Sequence, residues 1–225
     1  MTGLWLVRAR LRRDAQVAAL APLLLPEDDD ARALAAHRLV WSLMPPDPGA
    51  RRDHLWREEA PGAFMVLCRR PPGPSPLFNI DCRTFEPLLA AGDRLSFVLR
   101  ANPTVSHAGP GLRSHRSDVV MDALYSLPPG QRAAERQALL QSAGMAWLTR
   151  TGERLGFAPD PPKVTADGYH TLRISRQGAR PIQFGRVDFT GELTVQEPAL
   201  FLTALAEGIG RARAFGCGLM LIRRI

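Results

Sequence analysis

A chain of 225 residues can form one large domain or two small ones, and its 45% hydrophobic and 23% charged content describes an ordinary globular protein, not a disordered one. Its 29 Lys and Arg against 22 Asp and Glu leave a net charge of +7, which points to a polyanionic partner and says nothing about the fold. Cys68, Cys82 and Cys217 are too few and too scattered for a disulfide framework or a C-x-x-C metal knuckle, so reduced thiols in a cytoplasm are expected.

Residues Leu4 to Leu11 alternate, with Trp5, Val7, Ala9 and Leu11 on one face and Leu4, Leu6, Arg8 and Arg10 on the other. This predicts a strand whose second face turns from apolar to basic. Arg8, Arg10, Arg12 and Arg13 follow a short apolar start, so neither a signal-peptide core nor a membrane span is expected. After Pro26, the run Glu27 to Asp30 places carboxylates where they cap free N–H groups and suit the macrodipole of a helix. That helix is predicted through about Met44 and stops at Pro45-Pro46. On a helical wheel Ala33, Ala36, Val40, Leu43 and Met44 face the core, Arg38 and Ser42 point away, and His37 falls on the margin beside Trp41. Two roles are open for His37: a packed, hydrogen-bonded side chain, or a proton-transfer group that titrates near neutrality.

Ala63 to Arg69 reads as a strand, joined through the stiff turn Pro71 to Pro76 to another near Leu77 to Ile80, a predicted hairpin. Phe85 to Ala91 reads as a short helix and Arg94 to Ala101 as a strand, which completes β-α-β-β-α-β, a ferredoxin-like half. Asn102 precedes Pro103 and is biased to an extended conformation, so the chain leaves the sheet there. Val105 to Arg116 reads as the connection between domains. Its two histidines, His107 and His115, lack Cys, Asp or Glu at ligand spacing, and no metal site is assigned.

A strand near Val119 to Tyr125 is predicted to open the second half. Gln131 to Gly156 is the longest helix, with Leu139, Leu140, Ala143, Trp147 and Leu148 inward and Arg132, Arg136, Arg150 and Arg154 outward. Lys163 to Arg176 and Pro181 to Val195 form a long hairpin edged by Arg173, Arg176, Arg180 and Arg186. Pro198 takes the first position of a helix carrying Phe201, Leu202, Leu205 and Ile209. A glycine-rich loop and a final strand complete a second β-α-β-β-α-β unit. The expected class is α+β, two tandem ferredoxin-like (RRM-like) domains over residues 1–105 and 117–225, with a linker at 106–116.

The loop holds Gly208, Gly210, Gly216 and Gly218 within eleven residues, with Arg211 and Arg213 between the pairs. Glycines permit positive φ and leave backbone N–H groups unshielded for a phosphate. The loop follows a helix, leaves no room for a βαβ unit and lacks Gly-Lys-Ser/Thr, which excludes a dinucleotide fingerprint and a P-loop. A helix C-cap with a tight turn into an edge strand is the other reading.

Three blocks, in order, resemble the CRISPR repeat-processing endoribonucleases of the CasE type. They are His37-Arg-Leu-Val-Trp-Ser-Leu-Met-Pro45, Leu99-Arg-Ala-Asn-Pro-Thr104, and Phe189-Thr-Gly-Glu-Leu-Thr-Val195 with the helix and glycine loop that follow. The resemblance implies that His37 takes part in cleavage and that the glycine loop helps hold repeat RNA. Met44 replaces the family's usual aromatic residue, and Leu34 stands where several members carry a tyrosine.

The implied reaction is attack of a ribose 2′-OH on the adjacent phosphorus, giving a 2′,3′-cyclic phosphate and a 5′-OH beside the repeat stem-loop without metal or cofactor. Histidine can take one proton or give the other. The implied partners are the repeat RNA stem-loop and the other Cascade subunits, among which the enzyme stays on its product. Arginine suits such contacts, since Lys163 is the only lysine, and the excess of basic residues is 2 up to Gly111 and 5 after it. Candidate RNA contacts are Arg38, Arg100, Arg173, Arg176, Arg180, Arg211, Arg213 and the four loop glycines. A non-catalytic RNA-binding scaffold of the same fold is the alternative. A small-molecule enzyme would lack any cofactor motif and leave the basic excess unexplained.

Overall fold

The computed structural model describes residues 3–45, 52–107, 115–176 and 178–225. In chain order the elements are β1 (Leu4–Leu11), α1 (Ala15–Ala19), α2 (Ala21–Leu24), α3 (Asp29–Leu43), β2 (His54–Ala60), β3 (Ala63–Cys68), β4 (Phe78–Phe85), β5 (Arg94–Ala101), β6 (Thr104–His107), β7 (His115–Asp118), α4 (Val119–Tyr125), α5 (Arg132–Leu155), β8 (Phe157–Pro159), β9 (Thr165–Arg176), β10 (Ala179–Val195), α6 (Pro198–Glu207) and β11 (Met220–Arg224). The class is α+β, built on antiparallel sheets.

The first sheet has the order β2-β3-β1-β4, and α3 packs on its Val7 and Ala9 face through Ala36, Leu39, Val40 and Leu43. The second has the order β11-β5-β10, with β9 along most of the far edge of β10 and β8 at its end. Reading β8 and β9 as one broken edge, both sheets follow the strand order of a βαββαβ unit. The first unit lacks its second helix. In the second, α4, α5 and α6 cover one face, where Trp147 stacks on Phe189 at 5.7 Å between ring centroids.

Several expectations are corrected. Arg94–Ala101 does not close the first unit; it pairs with β10 and β11 and so opens the second, and a boundary after residue 105 does not coincide with the sheets. The pattern could not separate these, because one amphipathic strand fits either sheet. Val119–Tyr125 is a helix, nucleated by Asp118 Oδ1, which accepts from Val120 N and Met121 N. Residues 86–93 form no helix: Pro87 and a positive φ at Gly92 interrupt them, and while Leu89 packs on the second core, Leu88 stays 86% exposed. β3 and β4 are not a hairpin, since they pair with opposite edges of β1. Both run antiparallel to β1 and so parallel to each other, and their proline-rich connection crosses over from the end of β1 at Trp5 to the end at Leu11. β2 was missed altogether. Of the expected linker, residues 108–114 lie outside the described residues, while β6 and β7 pair on either side of them.

Helix α3 is held from a second side. Asp28 caps it by accepting from Ala31 N at 2.8 Å, and Asp30 Oδ1 accepts from Arg173 N of β9 at 2.8 Å. Ala33 and Leu34 pack with Leu172, Ile174, Ile182, Phe184 and Phe215. Both sheets thus fix the helix that carries His37.

β10 has no spare room at Gly191, where an added Cβ would lie 2.5 Å from Lys163 O and 2.8 Å from Val164 Cα. Gly191→Ala is expected to cost about 1–3 kcal/mol by overpacking, read as a lowered urea midpoint. Gly73→Ala, with nothing within 4 Å of the added atom, should leave the midpoint within error. Equal effects at the two positions would contradict this packing.

Candidate active site

His37 lies on α3 at the junction of the two sheets, half-buried. Its Nδ1 is 2.8 Å from the carbonyl oxygen of Ala214 in the glycine loop. A carbonyl only accepts, so Nδ1 carries the proton and donates, and the neutral ring presents the lone pair of Nε2. The ring rests against Phe215 at 5.6 Å and meets Trp41 edge-on at 6.3 Å; Phe215 stacks in turn on Phe184 of β10. Burial lowers the His37 pKa from its ordinary 6.5, the Ala214 carbonyl opposes that, and the Arg52 and Arg38 charges add to the lowering. At neutral pH His37 is therefore an uncharged imidazole of fixed tautomer beside two guanidinium groups.

The glycine loop supplies the carbonyl through an unusual backbone. Gly208, Gly210, Gly216 and Gly218 all have positive φ, and Ala212 does too, at 52°. Backbone hydrogen bonds hold the loop, among them Ile209 N to Gly218 O at 2.9 Å, Phe215 N to Ala212 O at 2.9 Å and Gly218 N to Arg100 O at 2.7 Å. Gly208 and Gly216 also admit neighbours: a Cβ would come 2.6 Å from Leu55 and 3.1 Å from Trp56, both on β2. These glycines let the loop seat against the first sheet, and part of its N–H set is spent internally. Arg213 Nε donates to Gly210 O at 3.1 Å.

The expected arginines fall into distinct places. Arg38, beside His37, is exposed, as are Arg173, Arg180 and Arg211. The side chain of Arg176 lies outside the described residues. Arg100 is committed inward: its Nε and Nη2 donate to the two oxygens of Asp188 at 2.9 Å each, and Nη1 donates to Glu58 O at 3.4 Å. That fork is closed to a phosphate, which corrects the expectation for Arg100. Leu34 belongs to the apolar cluster under α3, so its position contributes no hydroxyl. Near the connection, His107 Nε2 pairs with Asp122 Oδ1 at 2.9 Å. The His115 side chain lies outside the described residues.

Sequence reasoning missed β2, the strand against which the loop seats. His54 opens β2 and is 3% exposed, with neither ring nitrogen hydrogen-bonded; Trp41 packs edge-on to it at 5.1 Å. Asp53 Oδ1 lies 3.7 Å from His54 Nδ1, too far for a hydrogen bond, and Asp53 Oδ2 accepts from Arg70 Nε at 2.7 Å. Burial pushes the His54 pKa down to about 4, with Asp53 opposing and Arg52 and His37 assisting. The only sequence signal was a histidine just after a Pro- and Gly-rich stretch, which marks a loop more readily than a wall of a site.

A family model described as "CRISPR associated protein" matches residues 4–224. The chain is 30% identical over 143 residues to the CRISPR-associated endoribonuclease Cse3 of Thermus thermophilus, a match that spans 62% of this chain and 60% of that relative. It is 28% identical over 192 residues to the Cascade subunit CasE of Escherichia coli K12, covering 82% and 88%. Among solved structures, Cse3 bound to a 19-nucleotide RNA superposes with a TM-score of 0.69 at 24% identity, covering 98% of this chain and 99% of that one. The Cas6e protein of Escherichia coli K-12 superposes at 0.63 and 19%, covering 98% and 100%.

His54 makes stability depend on pH with a definite sign. The unfolded imidazole takes its proton near 6.5 and the folded one only near 4, so protonation in between favours unfolding. The contribution is complete above 6.5 and is lost as pH falls toward 4, up to about 3 kcal/mol from the size of the shift. Urea titrations of wild type across this window should show that slope. His54→Leu should flatten most of it, leaving the smaller share of His37. An unchanged slope in the variant would remove His54 as its source.

Proposed function

The chain belongs to the family of CRISPR-associated proteins, and from that membership we propose that it is an endoribonuclease that cuts CRISPR repeat RNA beside its stem-loop. The observation that carries the reading is the fixed tautomer of His37: Nδ1 is held by the Ala214 carbonyl, which leaves the lone pair to Nε2, and the charges of Arg52 and Arg38 act on the ring. The names of the relatives support it, since one is an endoribonuclease and the other a Cascade subunit.

In this reading the nucleophile belongs to the RNA. The 2′-OH attacks the adjacent phosphorus in line with the departing 5′ oxygen, and a 2′,3′-cyclic phosphate and a 5′-OH form. No step calls for a metal. His37 Nε2 either accepts the 2′ proton or, once protonated, gives a proton to the leaving oxygen. Arg38, Arg52 and Arg213 surround it with positive charge for the phosphorane. Alignment of attack is a positional demand, met by clamping the stem. The exposed Arg173 and Arg180 of the β9–β10 hairpin, with Arg176, and Arg211 of the loop are the proposed clamp. A-form RNA has a deep, narrow major groove, so recognition rests on stem shape and a few base edges. Gly208, Gly210, Gly216 and Gly218 serve by shaping the loop. The protein then stays on the product hairpin in the cytoplasm as a Cascade subunit, cutting once. Two ferredoxin-like domains form the body, the second opening at β5. Among the described residues no helix is long and apolar enough to cross a membrane.

The test is cleavage of repeat RNA in excess EDTA under single-turnover conditions. The wild type should cut, and His37→Ala should slow cutting by ~10²–10⁴ with binding nearly unchanged. The histidine-dependent limb of the pH profile measured at subsaturating RNA, which reports the free enzyme, should lie below the ordinary 6.5. Affinity should fall steeply with salt as condensed counterions are released. Loss of wild-type cutting in EDTA would require a metal. Binding by both proteins with cutting by neither would favour a scaffold.

A further inference from the structure

Beside the glycine loop lies a cavity of about 460 Å³, walled by the last turns of α5, the end of α6 and the loop itself. Its size suits one nucleotide and excludes a duplex. Thr151, Arg154, Glu207, Gly210, Arg211 and Arg213 line it. Thr151 is 3% exposed, so the floor is a buried hydroxyl-bearing side chain.

The charges at this cavity are held in reserve. Arg154, Arg211 and Glu207 make no ion pair among the described residues, and Arg213 holds only a loop carbonyl. Glu207 is moreover the last residue of α6, where a carboxylate opposes the helix macrodipole. A local rule broken without an internal partner is a mark of a site that serves something else. At Gly210 an added Cβ would meet Trp147 at 3.4 Å and Asn102 O at 3.5 Å in ordinary contact, and it is the positive φ of 82° that calls for glycine beside this wall. The cavity also adjoins the reaction centre, because Arg213 directly precedes Ala214, the residue that fixes His37.

We propose that this cavity receives a single unpaired nucleotide of the bound RNA, one that flanks the scissile phosphate outside the stem. Its phosphate meets Arg211 and Arg213 at the rim. Its base turns inward, where the Glu207 carboxylate accepts from an amino group of adenine, cytosine or guanine and Thr151 completes the edge. Uracil lacks that amino group and fits less well. Unpaired bases splayed from a loop or an end are the usual target of sequence-specific RNA readers. The proposal rests on the endoribonuclease reading above and assigns that enzyme a base-selective subsite.

The experiment is equilibrium binding of repeat stem-loops made uncleavable by a 2′-deoxy group at the scissile position. One RNA carries no other change, and the rest carry one abasic residue at successive unpaired positions on either side of the stem. Wild type and Glu207→Ala, which removes the acceptor, are compared, with thermal melts to confirm that the exposed substitution leaves the fold intact. At one position the abasic change should weaken wild-type binding about tenfold, the scale of a hydrogen bond to a charged group. At that position it should cost Glu207→Ala clearly less than it costs wild type, whereas elsewhere both proteins respond alike. A uracil there should weaken binding in the same direction. If wild type binds and cuts the repeat but no abasic position matters, or if the two losses multiply everywhere, the subsite is wrong and the enzyme reading stands. If wild type does not bind intact repeat RNA, both fall.

Discussion

The hydrogen bond from His37 to Ala214 spans 177 positions of sequence and joins the two halves of the molecule at one point. Its geometry depends on nearly everything else in the fold. α3 must lie on the first sheet through Ala36, Leu39, Val40 and Leu43, and also on β9 through Ala33 and Leu34. The glycine loop must arrive from the other direction, tied to β5 by the bond from Gly218 N to Arg100 O. A ring held at one nitrogen by a backbone carbonyl cannot exchange tautomers without losing that bond, so the fold itself decides which nitrogen keeps a lone pair.

The loop's composition follows from the same requirement. A glycine-rich run before a strand suggests N–H groups bared to a phosphate, but the structure assigns much of the glycine content to packing. Gly208 and Gly216 sit where side chains would strike Leu55 and Trp56, and each of the four glycines has a φ that a side chain would strain. Ala212 accepts the left-handed region without that relief, at a cost of order 1 kcal/mol that the surrounding bonds offset. What the loop offers the site is one carbonyl in the right place and an arginine on either side of Ala212.

The sequence was most legible where pattern and structure share a cause. The 3.6 period of α3, its acidic cap, the long α5 ending at Gly156, the β9–β10 hairpin and the helix begun by Pro198 all appear as expected. Pairing was less legible. Arg94–Ala101 alternates cleanly, and alternation states that one face is buried without saying in which sheet. Val119–Tyr125 has residues that favour strands, and tertiary packing on α5 with the Asp118 cap overrides them. The site was half legible: His37 and the loop stand in motifs, whereas His54 and Asp53 come from a strand that no periodicity announced. Arg100 looked like a phosphate ligand because sequence shows a charge and not its partner, and Asp188 is 88 residues away.

Net charge alone therefore misstates the surface that an RNA would meet. Arg94 and Lys163 both lie 2.8 Å from Glu192, and Arg57 and Arg186 feel the carboxylate that holds Arg100. The basic groups that count are those left unpaired around His37 and the loop, and their effect on the imidazole is double-edged. In the free protein burial lowers its proton affinity first, and Arg52 and Arg38 lower it further. A phosphate between those guanidinium groups cancels their repulsion and brings its own negative charge close to the ring, so the same histidine gains affinity for a proton. In the proposed mechanism, a ring that is neutral in the free protein and more readily protonated once substrate is bound needs no second state of the fold to serve at both ends of the reaction. The substrate's own charge moves its pKa.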